Sequence, residues 1–188
     1  MIRKLFATLW SKLYKTDLIE KYDLRFPDGY RYEDACFLYQ LAGNPIKITH
    51  IDDFMVHYIQ RSTSITHTNN EKVKDMIEIF TRIKAYYIEH KIYYDYQKEI
   101  EFIFIKFFLG NNFLRACQID DIKDRNEILD TSWNFLTKNY PDFKYNPYLK
   151  EFGLIRRIYT KLINKSNYHF LGKIIHFTYK LKGSDTYD

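Results

Sequence analysis

The chain has 188 residues and a formal net charge of +5, with 18 tyrosines and 15 phenylalanines against six glycines and four prolines. This length is enough for one domain with a sizeable core, or for two small subdomains. The aromatic content excludes a disordered or low-complexity chain, because such chains lack the residues that build a core.

The two cysteines, Cys36 and Cys117, are far apart in the sequence and form no Cys-x-x-Cys motif. This spacing is typical of buried thiols in a reducing compartment. The N-terminus is basic and then apolar, but its apolar run is too short for a signal peptide or a membrane span. The sequence therefore predicts a cytoplasmic protein.

The first third of the chain predicts a strand, a short helix and a turn. Residues 1–10 are typical of a buried strand, and residues 16–21 predict a short helix. The segment 25–41 reads RFPDGYRYEDACFLYQL, and its proline, aspartate and glycine are turn formers. We therefore expect the chain to reverse direction just before the paired carboxylates Glu33 and Asp34.

A helix is predicted to begin at these carboxylates. From Asp34 onward, apolar residues fall at Phe37, Leu38 and Leu41, which is the spacing of one helical face. A carboxylate at the start of that face is costly unless it is hydrogen-bonded, paired or used in chemistry, and the free amides of the first turn would hold it ionised. Two interpretations stay open: Asp34 is a general base at the edge of a cleft, or Glu33 and Asp34 only cap the helix.

The segment after this helix predicts a turn at residues 43–45 and one or two short strands within 46–60, because β-branched and polar residues alternate there. His50 and His57 are seven residues apart. In a strand this odd spacing points them to opposite faces, which argues against a shared metal ion. Residues 62–70 are polar and predict a loop.

From residue 71 onward the sequence predicts helices. One has a periodic apolar stripe from Val73 to Tyr87. The second, 95–117, is so apolar that we expect a core helix, and its interspersed charges argue against a membrane span. The third is predicted over 122–139, and the pair Asn146-Pro147 predicts the start of a fourth.

The segment 150–182 carries eight lysines and arginines against Glu151 alone, with apolar residues between them. A pair of basic amphipathic helices of this kind can lie on an anionic membrane surface. Alternatively, the apolar side packs on the preceding helices and the charges are solvated.

A series of short motifs occurs between residues 9 and 66. In chain order they are Trp10, Lys12-Leu13-Tyr14, Arg25-Phe26-Pro27, Tyr32-Glu33-Asp34 with Phe37, and Arg61 with Ser64-Ile65-Thr66. In this order and spacing they resemble the second half of the catalytic domain of family 2 glycosyltransferases, the bacterial GT-A enzymes that build surface polysaccharides. The resemblance covers about a third of the chain.

The resemblance implies roles for five residues. Asp34 matches the catalytic base, which takes the proton from the attacking acceptor hydroxyl, and Glu33 is its neighbour in the acidic pair. Arg61 and Ser64 match the segment near the departing nucleotide diphosphate. His57 lies where the family often has a tyrosine, so it is interpreted as a tyrosine substitute or as a metal or phosphate contact.

The resemblance also implies partners. The donor is a nucleotide sugar, and the acceptor is a glycan or a lipid-linked molecule. A divalent metal, Mg²⁺ or Mn²⁺, is implied by the family, whose upstream nucleotide-binding half ends in an Asp-x-Asp motif. No Asp-x-Asp occurs in this chain. We therefore expect an acceptor-side portion that is inactive without the upstream half.

Together these observations predict an α+β fold that is predominantly helical, with a few short N-terminal strands and the Glu-Asp helix followed by a C-terminal helical bundle. Residues 1–68 would be the acceptor-side remnant of a GT-A domain, and 69–188 a helical region with a basic amphipathic tail. The protein would be cytoplasmic, with a peripheral position on the inner face of the membrane where the tail contacts lipid. The alternative function is a non-catalytic helical module that binds nucleic acid or a protein; the absence of any recognised nucleic-acid motif argues against nucleic acid.

Overall fold

The computed structural model describes residues 2–5, 8–53, 56–57, 59 and 70–184. Within these ranges the protein is predominantly helical, as predicted, and contains no β-strand. The predicted short N-terminal strands are therefore not supported: Ile2–Lys4 is a 3-10 turn, and residues 45–52 form no regular structure. A strand requires a ladder of hydrogen bonds to a neighbour, and an alternating sequence does not supply that neighbour.

The first compact unit is Met1–Gln97. Its complete described helices are α1 (Thr16–Lys21), α2 (Glu33–Ala42) and α3 (Asn70–Glu89). The predicted helix at 16–21 and the helix carrying the paired carboxylates are thus confirmed. The predicted turn before α2 is present, and Gly29 has a φ of 79° there, which glycine adopts without a steric penalty. The predicted domain division at 68–69 falls inside this unit.

In the first unit, α3 packs its apolar stripe against α2. The Tyr87 hydroxyl donates a hydrogen bond of 2.7 Å to the Tyr39 carbonyl oxygen. Gly43 permits this close approach, because a Cβ there would lie 2.8 Å from the Tyr87 ring. These contacts hold α2, and with it the position of its first turn. The buried α3 residues are Val73, Met76, Ile79, Phe80, Ile83, Tyr86 and Tyr87.

The second compact unit is Lys98–Asp188, and the boundary falls within α4. The predicted helix at 95–117 is present, but its middle is a π-helix. The predicted helix at 122–139 is confirmed. The fourth predicted helix is only a 3-10 segment, Pro147–Glu151, capped by the Asn146 side chain. The elements are α4 (Tyr93–Ile105), the π-helix (Lys106–Asn112), α5 (Phe113–Ala116), α6 (Ile122–Asn139), α7 (Leu154–Leu162) and α8 (Tyr168–Ser184).

The π-helix gives α7 an attachment point. A π-helix shifts the backbone pairing by one residue and so changes which carbonyl groups are available. The Arg156 side chain of α7 donates a hydrogen bond of 2.7 Å to the Lys106 carbonyl oxygen. It lies directly over Gly110, where a Cβ would come 1.6 Å from the guanidinium. Glycine at this position therefore makes room for the arginine.

Both cysteines are buried free thiols, as predicted. Burial raises the pKa of Cys36 to about 11 and that of Cys117 to about 12. Such thiols are poor nucleophiles at neutral pH. In the described part of the chain, every helix is either too short or too polar to cross a bilayer.

Candidate active site

The first turn of α2 follows a strained backbone position. Tyr32, the residue before the helix, has φ 64° and ψ 23°, and its side chain makes no capping hydrogen bond. A positive φ is rare for a bulky residue, and such strain is concentrated at functional positions. It directs Glu33 and Asp34 differently: Glu33 is exposed, whereas Asp34 is half-buried.

Asp34 is a partly desolvated carboxylate. Its Oδ1 accepts a hydrogen bond of 2.7 Å from the Ala35 amide. Burial raises the pKa of Asp34 above its ordinary value, the charge of Glu33 acts in the same direction, and the Ala35 amide and Lys12 oppose them. Desolvation therefore outweighs the amide groups of the first turn, which on sequence grounds were expected to hold the carboxylate ionised. The consequence is a more basic carboxylate than an exposed aspartate.

Tyr14 is the neighbour of Asp34 that has an unused polar group. Its hydroxyl is buried and has no hydrogen-bond partner among the described residues. Burial, and next the negative charge of Asp34, raise the pKa of Tyr14. The same two causes raise the pKa of Tyr39. A buried hydroxyl without a partner is uncommon in folded proteins.

Aromatic packing positions Tyr14 beside α2. The Tyr14 ring meets the buried Phe37 ring edge-on at 5.4 Å between centroids, and Phe26 stacks on Phe37 at 4.9 Å. Residues that carried the resemblance but are separated by up to 23 positions are thus brought together around the side of α2 that carries Asp34. Sequence reasoning assigned no role to Tyr14, because an unpaired hydroxyl is a property of the folded environment.

A cleft of about 310 Å³ lies in the same unit, but Asp34 is not among its lining residues. Cys36 and Gln40 line it from α2, and helical spacing places them about 160° and about 120° around the helix from Asp34. The predicted position of Asp34 at the mouth of a groove is therefore not met by this cleft. The full lining is Arg25, Phe26, Pro27, Cys36, Gln40, Arg82, Ala85, Tyr86 and Glu89.

Of the predicted donor-side residues, Arg61 and Ser64 lie outside the described ranges, and His57 is exposed. His50 pairs with Asp52 at 3.1 Å, and both side chains are exposed. Among the described residues, no three histidine, cysteine, aspartate or glutamate side chains are placed to hold a metal ion. The divalent ion that the sequence resemblance implies therefore has no matching ligand set among these residues.

Comparisons with known proteins do not assign the chain to a family. No family model matches the chain, and neither does any curated protein or solved structure. The site therefore has to be interpreted from its own geometry, which combines a desolvated carboxylate, a phenol with a free hydroxyl and a strained turn. Such a combination can accept a proton from a bound hydroxyl group and orient that group by a hydrogen bond.

Proposed function

We propose that the chain is the acceptor-side part of an inverting glycosyltransferase, which transfers a sugar from a nucleotide-sugar donor to a glycan or lipid-linked acceptor. The observation that carries the proposal is the half-buried Asp34 carboxyl, with its raised pKa, beside the buried and unpartnered Tyr14 hydroxyl. A sugar acceptor offers several hydroxyl groups, one to react and others to bind. The family resemblance of residues 9–66 supports the same chemistry.

In the proposed reaction, Asp34 acts as the general base. The acceptor hydroxyl oxygen attacks the anomeric carbon of the donor while its proton passes to the Asp34 carboxylate. The bond between the anomeric carbon and the nucleotide diphosphate breaks, and its electron pair leaves with the diphosphate. Attack from the opposite side inverts the configuration. A positioned base contributes about 10²–10⁴-fold in rate, most efficiently when its pKa approaches the working pH.

Tyr14 would orient the acceptor relative to this base, and Lys12 would tune the pKa of the base. The Tyr14 hydroxyl can hydrogen-bond a second hydroxyl of the acceptor and so fix the sugar relative to Asp34. Lys12 acts to lower the pKa of Asp34, and Glu33, exposed beside it, acts in the opposite direction.

The donor side of the proposal rests on the sequence resemblance. Arg61 and Ser64 would contact the leaving diphosphate, where a guanidinium neutralises developing charge. His57 would be a further phosphate contact. The nucleotide-binding half of the enzyme would be supplied by a separate segment, so the chain alone is proposed to bind acceptor without completing transfer.

Titration of the ¹⁵N-labelled chain tests acceptor binding directly. Oligosaccharides, nucleotide sugars and RNA are added separately, and amide resonances are followed. The proposal expects oligosaccharides to shift the resonances of Tyr14, Asp34 and Ala35. A response to RNA that weakens steeply with salt, with no response to sugars or nucleotides, would instead identify the chain as an interaction module.

Transfer itself is measured with the chain supplied with the nucleotide-binding half, as release of nucleotide diphosphate. Asp34→Asn should abolish release while donor binding is retained. Asp17→Asn is the matched control, because Asp17 is an exposed aspartate in the first turn of α1. Turnover retained by Asp34→Asn would remove Asp34 from the role of base.

A further inference from the structure

Helix α7 exposes the side that amphipathic helices normally bury. Thr160 is the one residue of α7 that is buried. Its large apolar side chains face outward, and helical spacing places the four most apolar positions within an arc of about 100°. Their exposed fractions are 63% for Leu154, 86% for Ile155, 48% for Ile158 and 60% for Leu162. An apolar face of this kind marks an interaction surface.

Helix α8 carries a second exposed apolar stripe. Its residues recur at intervals of four, three and four, which is the spacing of one helical face. Each of the side chains in this stripe is exposed. The stripe consists of Phe170, Ile174, Phe177 and Leu181.

The formal charges within the segment that carries these stripes are all positive, and one of them, Lys180, lies 2.7 Å from the Asp120 carboxylate of the loop before α6. Residues 154–182 contain seven lysines and arginines and no aspartate or glutamate. Arg156 is used inside the protein, where it donates its hydrogen bond to the Lys106 carbonyl oxygen. Lys161, Lys165 and Lys173 are exposed instead, and helical spacing places Lys161 beside Leu154 at the edge of the α7 stripe. Lysine stems can lie along an apolar surface while the ammonium groups reach outward.

We propose that α7 lies in the surface of an anionic lipid bilayer, with the face formed by Leu154, Ile155, Ile158 and Leu162 inserted among the acyl chains. The exposed lysines around it would contact the lipid phosphates. An amphipathic helix with a basic polar side binds membranes by the sum of these two contributions. This contact does not depend on whether Asp34 is a base.

Charge favours lipid over a second copy of the chain. A symmetric dimer through α7 would bring the same basic segment of two copies together, and no acidic residue in 154–182 could compensate. An anionic bilayer supplies both a continuous apolar layer and negative charge. It therefore matches both properties of the face.

Co-sedimentation with vesicles tests the proposal. The purified chain is mixed with vesicles of phosphatidylcholine alone, or with about a third of phosphatidylglycerol. Wild type should bind the anionic vesicles and release from them as salt is raised. Ile155→Glu should lower the binding constant at least about tenfold, because it removes a large inserted side chain. Ile122→Glu makes the same change of charge at an exposed isoleucine of α6, 60% exposed, and should lower binding no more than about threefold.

A second measurement does not depend on the charged variants. Because Cys36 and Cys117 are buried, Ile155→Cys and Ile122→Cys each introduce one accessible thiol for an environment-sensitive dye. The dye at position 155 should shift to the blue on anionic vesicles, and the dye at 122 should not. Circular dichroism confirms that each variant is folded.

Three results would overturn the proposal. The first is that wild type does not bind anionic vesicles, or binds neutral ones equally well. The second is that Ile155→Glu and Ile122→Glu weaken binding equally, which would reduce the effect to net charge. The third is a wild-type dimer in light scattering that Ile155→Glu converts to monomer, which would make the α7 face a subunit interface.

Discussion

Helices α2 and α7 are both amphipathic but are used in opposite ways. Seven of the ten residues of α2 are buried, and the polar group left at its edge is the half-buried Asp34. In α7 one residue of nine is buried, and the apolar side faces outward. The difference teaches that an apolar stripe identifies a face of a helix but not what covers it. In α2 the covering is the protein's own core, whereas the apolar side of α7 is left exposed by the described residues.

The largest effect is expected from truncating the core side of α2. Phe37→Ala removes a buried ring that contacts both Tyr14 and Phe26, and should lower the free energy of unfolding by about 3–5 kcal/mol. Ile155→Ala on α7 should change it by no more than about 0.5 kcal/mol. Urea unfolding of both variants measures the contrast. A large loss at Ile155 would mean that the α7 face is covered within the protein.

The next effect concerns the attachment of α7. Gly110→Ala would displace the Arg156 guanidinium and break its hydrogen bond to the Lys106 carbonyl oxygen, at a cost of about 1.5–3 kcal/mol. In an Arg156→Ala background the same substitution should cost much less, because the clash and the bond are already gone. Equal costs in both backgrounds would show that Gly110 acts through something other than Arg156.

Two buried tyrosine hydroxyl groups in the first unit differ in hydrogen bonding: that of Tyr87 donates a hydrogen bond, and that of Tyr14 has no partner among the described residues. Tyr87→Phe loses the hydrogen bond to the Tyr39 carbonyl oxygen and should cost about 0.5–1.5 kcal/mol. Tyr14→Phe removes a buried hydroxyl that no described residue pairs with, so it should be neutral or stabilise by up to about 1 kcal/mol. A loss at Tyr14 as large as that at Tyr87 would show that this hydroxyl is already paired, and it would weaken the proposed ligand site.

The smallest effect is expected at Asp34, because its carboxyl keeps part of its contact with water. Its pKa is raised in the folded state, so the folded protein holds its proton up to a higher pH than the unfolded chain does. Stability should therefore fall as pH rises from the ordinary value of 3.8 through the raised pKa. Above that window Asp34→Asn should be more stable than wild type, and below it the two should converge.

Asp17→Asn supplies the control for this measurement. Asp17 is exposed at the start of α1, where its charge favours the helix, so its loss should lower stability by about 0.3–1 kcal/mol at neutral pH. At neutral pH, Asp34→Asn is therefore expected to raise stability and Asp17→Asn to lower it. Thermal unfolding at a series of pH values gives both curves, and a destabilised Asp34→Asn at neutral pH would contradict the view that this carboxylate is held at a cost to stability.

The helices were predictable because their signals are local. Helix α6 was predicted over 122–139 and is found as Ile122–Asn139, with Pro141 two residues after its end. The π-helix within 95–117 was not predicted, and neither was the hydrogen bond to the carbonyl oxygen of its first residue, Lys106, because the donor, Arg156, is about fifty residues away. The strands expected in 1–10 and 46–60 would have needed a neighbouring strand to pair with, and the described residues form no strand.

The candidate site was predictable only in part. Asp34 was predicted as a candidate because a carboxylate at the head of an apolar stripe is costly, and its side chain is half-buried. Its raised pKa was not predictable, since the opposing contributions of desolvation and the Ala35 amide depend on the packing around them. The unpartnered Tyr14 hydroxyl was not predictable either, because it also depends on the packing around it.

By itself, the sequence determined where α1, α2 and α6 lie and that α2 and α3 each carry an apolar stripe. These properties depend on neighbours within a few positions along the chain. The tertiary structure alone decided that the apolar face of α2 is buried while that of α7 is exposed, and that Asp34 lies beside Tyr14. Burial is a sum over contacts between distant parts of the chain, so no local pattern can specify it.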